Sequence, residues 1–104
     1  MPGEWTFLSN HGHVLVCLAR DPDTRMRDVA ESVGITERAI QQIVQDLVAQ
    51  GYLRKDKVGR RNHYEVVRDA HLRHALEAHV TLGDFVELVV GPAADGGRAP
   101  RPTS

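Results

Sequence analysis

The stretch of sequence that decides the fold is MRDVAESVGITERAIQQIVQDLVAQGYL, residues 26–53. Apolar residues recur through it at the spacing of an α-helix, interrupted once by a glycine. We expect a short helix over about 27–33, ended by Gly34 in the left-handed conformation that a tight turn requires. We expect a longer helix over 37–50, ended in the same way by Gly51. The stretch therefore predicts two helices joined by a tight turn.

The longer helix has two chemically different faces. Thr36 stands at its N-cap, where a hydroxyl oxygen accepts a hydrogen bond from the first turn. The apolar stripe comprises Ile40, Ile43, Val44, Leu47 and Val48. The opposite, polar face comprises Glu37, Arg38, Gln41, Gln42 and Gln45. The periodicity predicts that the apolar stripe holds the helix on the domain and leaves the polar face free.

Outward from this stretch, the sequence predicts a helix before it and a hairpin after it. A helix over about 9–20 has Ser9 or Asn10 as its cap, and Pro22 stops it. Residues 52–57 and 62–67 have the apolar pattern of two strands, and Gly59 lies in the connection over 58–61. We expect the hairpin to form a basic wing over 54–65.

The C-terminal part has two further segments. Residues of about 70–90 have helical apolar spacing, and Thr81 with Asp84 forms the pattern of a capping box that restarts a helix. The stretch 91–104 is rich in glycine and proline, and it has no large apolar residue, so we expect it to be disordered. We therefore expect one folded domain over 1–90 and a disordered tail over 91–104.

Composition limits the class of protein. The chain has 104 residues, of which 41% are hydrophobic and 26% are charged, as is typical of one folded domain. The net charge is −1, but it is unevenly distributed. Residues 1–50 hold four basic and seven acidic residues, whereas 51–73 hold seven basic and three acidic, a local balance of +4. This distribution indicates a basic surface on the hairpin.

Other classes of protein find little support. No apolar run is long enough for a membrane helix, and the N-terminal residues lack the pattern of a secretory signal, so we expect a cytoplasmic protein. The single cysteine, Cys17, is expected to be a small buried hydrophobe. Nucleophile-elbow, phosphate-loop and dinucleotide-binding patterns are absent from the sequence, so we expect neither an enzyme nor a cofactor.

The order of helix, short helix, glycine turn, longer helix and basic hairpin resembles the winged helix-turn-helix of MarR-like and ArsR-like bacterial repressors. The resemblance rests on Val29-Ala30, Gly34, Thr36 and the segment Leu47–Tyr52, and it covers about residues 8–67. Arg27 departs from the pattern where the family often has a serine or threonine cap. The resemblance implies a mainly α fold with a small β-hairpin wing (α+β), with C-terminal helices for dimerisation.

The resemblance also implies a sequence-specific transcriptional regulator, a repressor in type, that binds double-stranded DNA. In this family the longer helix lies in the major groove, and the wing lies on the backbone or in the minor groove. Glutamine pairs well with adenine and arginine with guanine. The candidate DNA-binding residues are Thr36, Arg38, Gln41, Gln42, Gln45, Arg54, Lys57, Arg60 and Arg61.

Terminal helices of the related repressors make two-fold dimers, and the stretch 70–90 is more apolar than a small domain needs. We expect a homodimer that binds an inverted repeat, with Trp5 and Phe7 as further contributors. The candidate dimerisation residues are Leu76, Val80, Leu82, Phe85, Val86 and Val89. The alternative is that this stretch covers the core of its own domain.

Three alternatives remain open from the sequence alone. A glutamine-rich helix face is also typical of a solvated surface, and a basic hairpin also protects an exposed strand edge from aggregation. A winged helix also serves as a protein–protein interaction module without DNA binding.

His71 and His74 are spaced like metal ligands, and Asp69-Ala70-His71 resembles the start of a metal site in ArsR-like sensors. The second histidine of that site is expected at position 82, where this chain has leucine, so we expect no metal.

Overall fold

The computed structural model describes residues 6–91, which form four α-helices and a two-stranded antiparallel sheet. The helices are α1 (Asn10–Arg20), α2 (Met26–Val33), α3 (Glu37–Gln50) and α4 (Leu82–Val90), and the strands are β1 (Leu53–Val58) and β2 (Arg61–Val66). A single 3-10 turn, Ala75–Glu77, precedes α4. The predicted fold class, a mainly α domain with a small hairpin wing, is confirmed.

Four of the ends of the first three helices follow the capping residues that the sequence predicts. Ser9 accepts a hydrogen bond from the Gly12 amide, and Thr36 accepts one from the Ala39 amide at 3.0 Å. Gly34 and Gly51 end α2 and α3 with φ angles of 90° and 88°, in the left-handed region. The helix-turn-helix is thus set by local residue chemistry.

The N-cap of α2 lies two residues earlier than the sequence indicates. Arg27 lies inside the helix, and Arg25 occupies the N-cap position without any side-chain hydrogen bond to the first turn. The hydroxyl or carboxylate that usually satisfies that turn is therefore not supplied at this position.

One hydrophobic core joins all four helices to the wing. The apolar stripe of α3 packs with α1 and α2. Leu53 and Tyr64 of the hairpin are buried in the same core. The buried core residues of the helices are Val14, Leu15, Leu18, Val29, Ala30, Ile40, Ile43, Val44, Leu47, Leu82 and Val86. Because the buried side of α3 faces this core, its polar side faces solvent.

The strands of the hairpin lie one residue away from the predicted bounds. Val58 pairs with Arg61, which leaves Gly59 and Arg60 as a two-residue turn, and Gly59 has a φ angle of 66°. Such short turns need a positive φ, which glycine adopts without strain. The wing is therefore a regular six-residue ribbon with Arg60 at its tip.

The helix predicted from apolar spacing over about 70–90, with a restart at Thr81, is wrong in its first half. Residues 70–81 form a loop that closes on itself, since the Leu72 amide donates to the Val80 carbonyl and the Leu82 amide donates to the Ala70 carbonyl at 2.8 Å. These hydrogen bonds across the loop take the place of the hydrogen bonds between residues i and i−4 that a helix would make. The helix begins only at Leu82, where Thr81 and Asp84 form the predicted capping box.

Two residues expected at the dimer surface are core residues of the same chain. Leu82 and Val86 are each 1% exposed and belong to the core of the domain, where α4 packs against α1. The alternative reading, that this stretch covers its own core, thus holds for these two side chains. The expected tail from residue 92 onward and Trp5 lie outside the described residues.

Candidate nucleic-acid interface

The polar face of α3 is exposed along the whole helix. Arg38, Gln41, Gln42 and Gln45 are all exposed, while the apolar stripe is buried from Ile40 to Leu47 and partly buried at Val48. The hydroxyl oxygen of Thr36 is used as the helix cap, and its proton remains available to donate. The candidates predicted on α3 are therefore all accessible to solvent.

A groove of about 400 Å³ runs between α3 and the wing. Gln41 and Gln45 lie on its helix wall, and Lys55 and Asn62 lie on its wing wall above Tyr64. Sequence reasoning did not select Lys55 or Asn62. The alternation of a strand would have found Lys55, because it lies two residues after the buried Leu53 and so shares its face.

A second cleft, of about 430 Å³, lies between the start of α2 and the first half of β2. Its charged lining comprises Asp23, Arg25, Arg27, Glu37 and Arg61. Three of these five side chains are cationic. Arg25 and Arg27 were missed because they belong to the acidic first half of the chain, and only folding brings them beside Arg61.

The basic residues of the wing differ in their surroundings. Arg54 donates to the Glu65 carboxylate at 3.1 Å, so part of its charge is balanced across the ribbon. Arg61 donates to the backbone carbonyl of Asp23 at 2.9 Å. Lys57 and Arg60 are exposed near the tip. The charges of Lys55, Lys57 and Arg60 are therefore more available to an anionic partner than that of Arg54.

Three side chains are linked by hydrogen bonds on the side of α3 that faces away from the groove. His11 of α1 lies 2.9 Å from one carboxylate oxygen of Asp46, and Gln42 donates to the other oxygen at 3.3 Å. These hydrogen bonds, first that from His11 and then that from Gln42, lower the pKa of Asp46. Gln42 is thus tied along the helix, whereas Gln41 and Gln45 face the groove.

The wing is attached to the loop between α1 and α2. Nδ1 of His63 lies 2.8 Å from a carboxylate oxygen of Asp23, and the Tyr64 amide donates to the Pro22 carbonyl at 3.0 Å. The hydrogen bond with Asp23 raises the pKa of His63. This attachment fixes where the ribbon leaves the domain.

Several large apolar side chains are exposed away from the groove. Leu88 of α4 is 86% exposed and Val89 is 39% exposed, with the partly buried Phe85 beside them one turn earlier. Leu76 is 80% exposed and Phe7 is 95% exposed. Among the predicted dimerisation residues, Leu76, Val80, Phe85 and Val89 remain accessible in part.

The histidines spaced like metal ligands make backbone contacts instead. Nδ1 of His71 lies 2.8 Å from the Ala78 carbonyl, and His74 accepts from the Leu76 amide. Across residues 6–91, no three histidine, cysteine, aspartate or glutamate side chains gather in a metal-binding arrangement. Cys17 is half-buried, and burial raises the pKa of its thiol.

Among residues 6–91, no helix is both long and apolar enough to cross a bilayer.

Comparison with known proteins agrees with this geometry. Residues 9–54 match the family described as winged helix-turn-helix DNA-binding, a segment that runs from the cap of α1 into β1. The helices and the hairpin have the arrangement of a winged helix-turn-helix, and residues 9–54 are similar to that DNA-binding family, as the resemblance of the sequence indicated.

A solved structure gives a second, longer likeness. The chain is similar to the PcaV transcriptional regulator from Streptomyces coelicolor, determined in complex with its natural ligand. The two are 27% identical, with a TM-score of 0.53, over 89% of this chain and 66% of that one. The chain thus spans slightly less than two thirds of the length of PcaV. No curated protein matches the chain.

Proposed function

We propose that this chain is a MarR-like, homodimeric regulator of transcription that binds a specific DNA sequence and acts as a repressor. The observation that carries the proposal is the groove between α3 and the wing. One of its walls presents Gln41 and Gln45, and the other presents Lys55 and Asn62. Amides suited to reading bases thus lie beside a cation suited to binding phosphate.

The chemistry of α3 suits the major groove. A glutamine pairs with adenine through two hydrogen bonds, and Arg38 near the start of the helix has the fork that pairs with guanine. The first residues of a recognition helix are those that approach base edges most closely. Arg38, Gln41 and Gln45 are therefore the proposed base-reading residues. Gln42 can join them once its hydrogen bond to Asp46 is broken.

The wing and the start of α2 supply the contacts to phosphate. Lys57 and Arg60 project from the ribbon beyond the groove, and Arg60 at the tip fits the negative potential of a narrow minor groove. On the other side, Arg25 and Arg27 flank the uncapped first turn of α2, whose amides favour an anion. DNA held at both places would seat α3 between them.

Dimerisation is proposed through the exposed apolar side chains of α4. Phe85, Leu88 and Val89 are neighbours on its surface, and a second copy would cover them. A two-fold axis would place two copies of α3 about one helical turn of DNA apart, on an inverted repeat. Repression is proposed from the resemblance to bacterial repressors and from the likeness to PcaV, a transcriptional regulator.

Fluorescence anisotropy with DNA from upstream of the gene, against a scrambled duplex, tests the proposal. We expect preference for the upstream duplex, and weaker binding when salt rises from about 50 mM to about 200 mM because phosphate contacts release counterions. Arg60→Ala should weaken binding to both duplexes. Arg73→Ala is the matched control, since Arg73 lies in the loop before α4 and lines neither cleft beside the wing.

Equal, weak binding to both duplexes would contradict sequence specificity at that DNA. An absence of binding even at low salt would overturn the proposal and favour the protein-interaction module. A protein that remains a monomer at micromolar concentration would overturn the homodimer, whatever the result with DNA.

A further inference from the structure

The wing rests on three hydrogen bonds to two residues of the α1–α2 loop. The Tyr64 amide donates to the Pro22 carbonyl, and the Arg61 guanidinium donates to the Asp23 carbonyl. The third bond joins His63 to the Asp23 carboxylate. A two-stranded hairpin has little stability of its own in water. Its direction is therefore set largely by this attachment and by Leu53 and Tyr64 in the core.

The loop that receives these bonds is itself constrained. The Asp21 carbonyl accepts from the Thr24 amide at 3.1 Å, and the Asp21 carboxylate accepts from the Asp23 amide at 3.1 Å. Pro22 fixes its own φ angle within this turn. Asp23 is thus presented to the wing by a closed turn.

We propose that Asp23 is a positioning residue for the wing, and that protonation of His63 tightens this attachment and makes the wing's order, and with it DNA affinity, dependent on pH. The DNA part of this inference rests on the proposed function, whereas the attachment does not. Arg61 keeps donors free for phosphate while one is held by Asp23, because a guanidinium has five.

The charges that face His63 favour its protonated form. Asp23 contacts it from the loop, Asp56 is its partner across the ribbon, and Glu65 shares its face of β2. The cations nearby are Arg61 on the same strand, Arg54, which shares this face of the ribbon and donates to Glu65, and Arg25, which shares a cleft with Asp23 and Arg61. Of these groups, the Asp23 carboxylate is the one in hydrogen-bond contact with the imidazole, and all three carboxylates favour its protonated form.

The direction of the pH effect follows from the raised pKa of His63. Below the ordinary histidine value of about 6.5, the ion pair with Asp23 is fully present. As the pH rises through the raised pKa of the folded state, the proton leaves and that contribution is lost. The attachment is thus strongest in mildly acidic solution.

The experiment compares the wild-type chain with His63→Gln, Asp23→Asn and a control, His71→Gln, between about pH 5 and about pH 8. Amide-exchange protection of Val58 and Arg61, a hydrogen-bonded pair of the ribbon beside the turn, is measured without DNA, and anisotropy is measured with the upstream duplex. We expect wild type and control to lose wing protection, and about two- to fivefold in DNA affinity, as the pH rises, in keeping with a partly exposed ion pair. Both other variants should give flat profiles.

Asp23→Asn separates positioning from a direct effect of charge. If His63 acted on DNA simply as a cation, that variant would keep the pH dependence, and the proposal would be overturned. Wing protection that does not change with pH in the wild type would overturn it too. If protection changes with pH but no duplex binds, the attachment stands and the proposed DNA function fails.

Discussion

At the scale of single residues, the helix-turn-helix depends on a few positions with special backbone demands. Gly34 has a φ of 90°, and a Cβ built on it would meet no atom within 4 Å. The cost of a side chain there is thus conformational rather than a clash. Gly51 is in the same situation at the end of α3.

Gly34→Ala is expected to destabilise the fold by about 1–2 kcal/mol, because an L-residue with a side chain is strained in the left-handed region. Gly34→Asn should cost less, since asparagine tolerates that region better. Urea unfolding of the two variants and the wild type measures the difference. Equal stability of the alanine variant and the wild type would contradict the role given to this turn.

These residues also explain why the centre of the chain is predictable from sequence. Thr36, Gly34 and Gly51 are local signals, and each acts on the backbone within a turn of itself. Arg25 and Arg27 could not be assigned in the same way. Their place beside Arg61 is created by packing, and no spacing along the chain records it.

At the scale of elements, the wing has two chemically distinct faces. Lys55 shares the face of Leu53 and Tyr64 and lines the groove beside α3, while Arg54 points to the other side and pairs with Glu65. The two cations are neighbours in sequence and unlike in position. They form a matched pair for testing which face meets DNA.

Lys55→Ala is expected to weaken binding to the upstream duplex and to reduce the slope of log affinity against log salt by about 1, the loss of one phosphate contact. Arg54→Ala should have the smaller effect, because its charge is already balanced by Glu65. Anisotropy titrations over a salt series provide the slopes. Equal slopes for Lys55→Ala and the wild type would exclude Lys55 from the interface.

The C-terminal segment shows where element prediction fails. Leu72, Ala75, Leu76 and Val80 have helical spacing, but the hydrogen bonds between Ala70 and Leu82 close a loop instead. Apolar spacing alone does not distinguish a helix from a loop that covers a core. The capping box at Thr81 was recognisable because it is a short-range pattern.

At the scale of the whole molecule, α4 serves two surfaces. Its inner side chains, Leu82 and Val86, complete the core of their own chain, while Leu88 is almost wholly exposed. Stability and association should therefore respond to different substitutions in one short helix.

Leu82→Ala is expected to lower the free energy of unfolding by about 2–5 kcal/mol, as for other large-to-small changes in a core. The loss should be the same at every protein concentration if the side chain belongs to a single chain. Denaturant unfolding at two concentrations tests this. A loss that disappears on dilution would place Leu82 in an interface instead.

Leu88→Glu is expected to convert the proposed dimer into a monomer, because it puts a charge at the centre of the apolar surface of α4. Val58→Glu is the control, since Val58 is 62% exposed at the wing tip, away from α4. It should keep the dimer and weaken DNA binding. Analytical ultracentrifugation distinguishes the two, and a dimeric Leu88→Glu variant would remove α4 from the interface.

The burial of α4 against α1 also bears on how the chain folds during synthesis. α1, α2 and α3 leave the ribosome first, but the core beneath them has a gap until Leu82 and Val86 arrive from the far end of the described chain. The helix-turn-helix is therefore expected to stay loosely packed while it is nascent. It would become rigid only when α4 packs against it. Each new chain would therefore be able to bind DNA, as proposed, only after α4 has been synthesised.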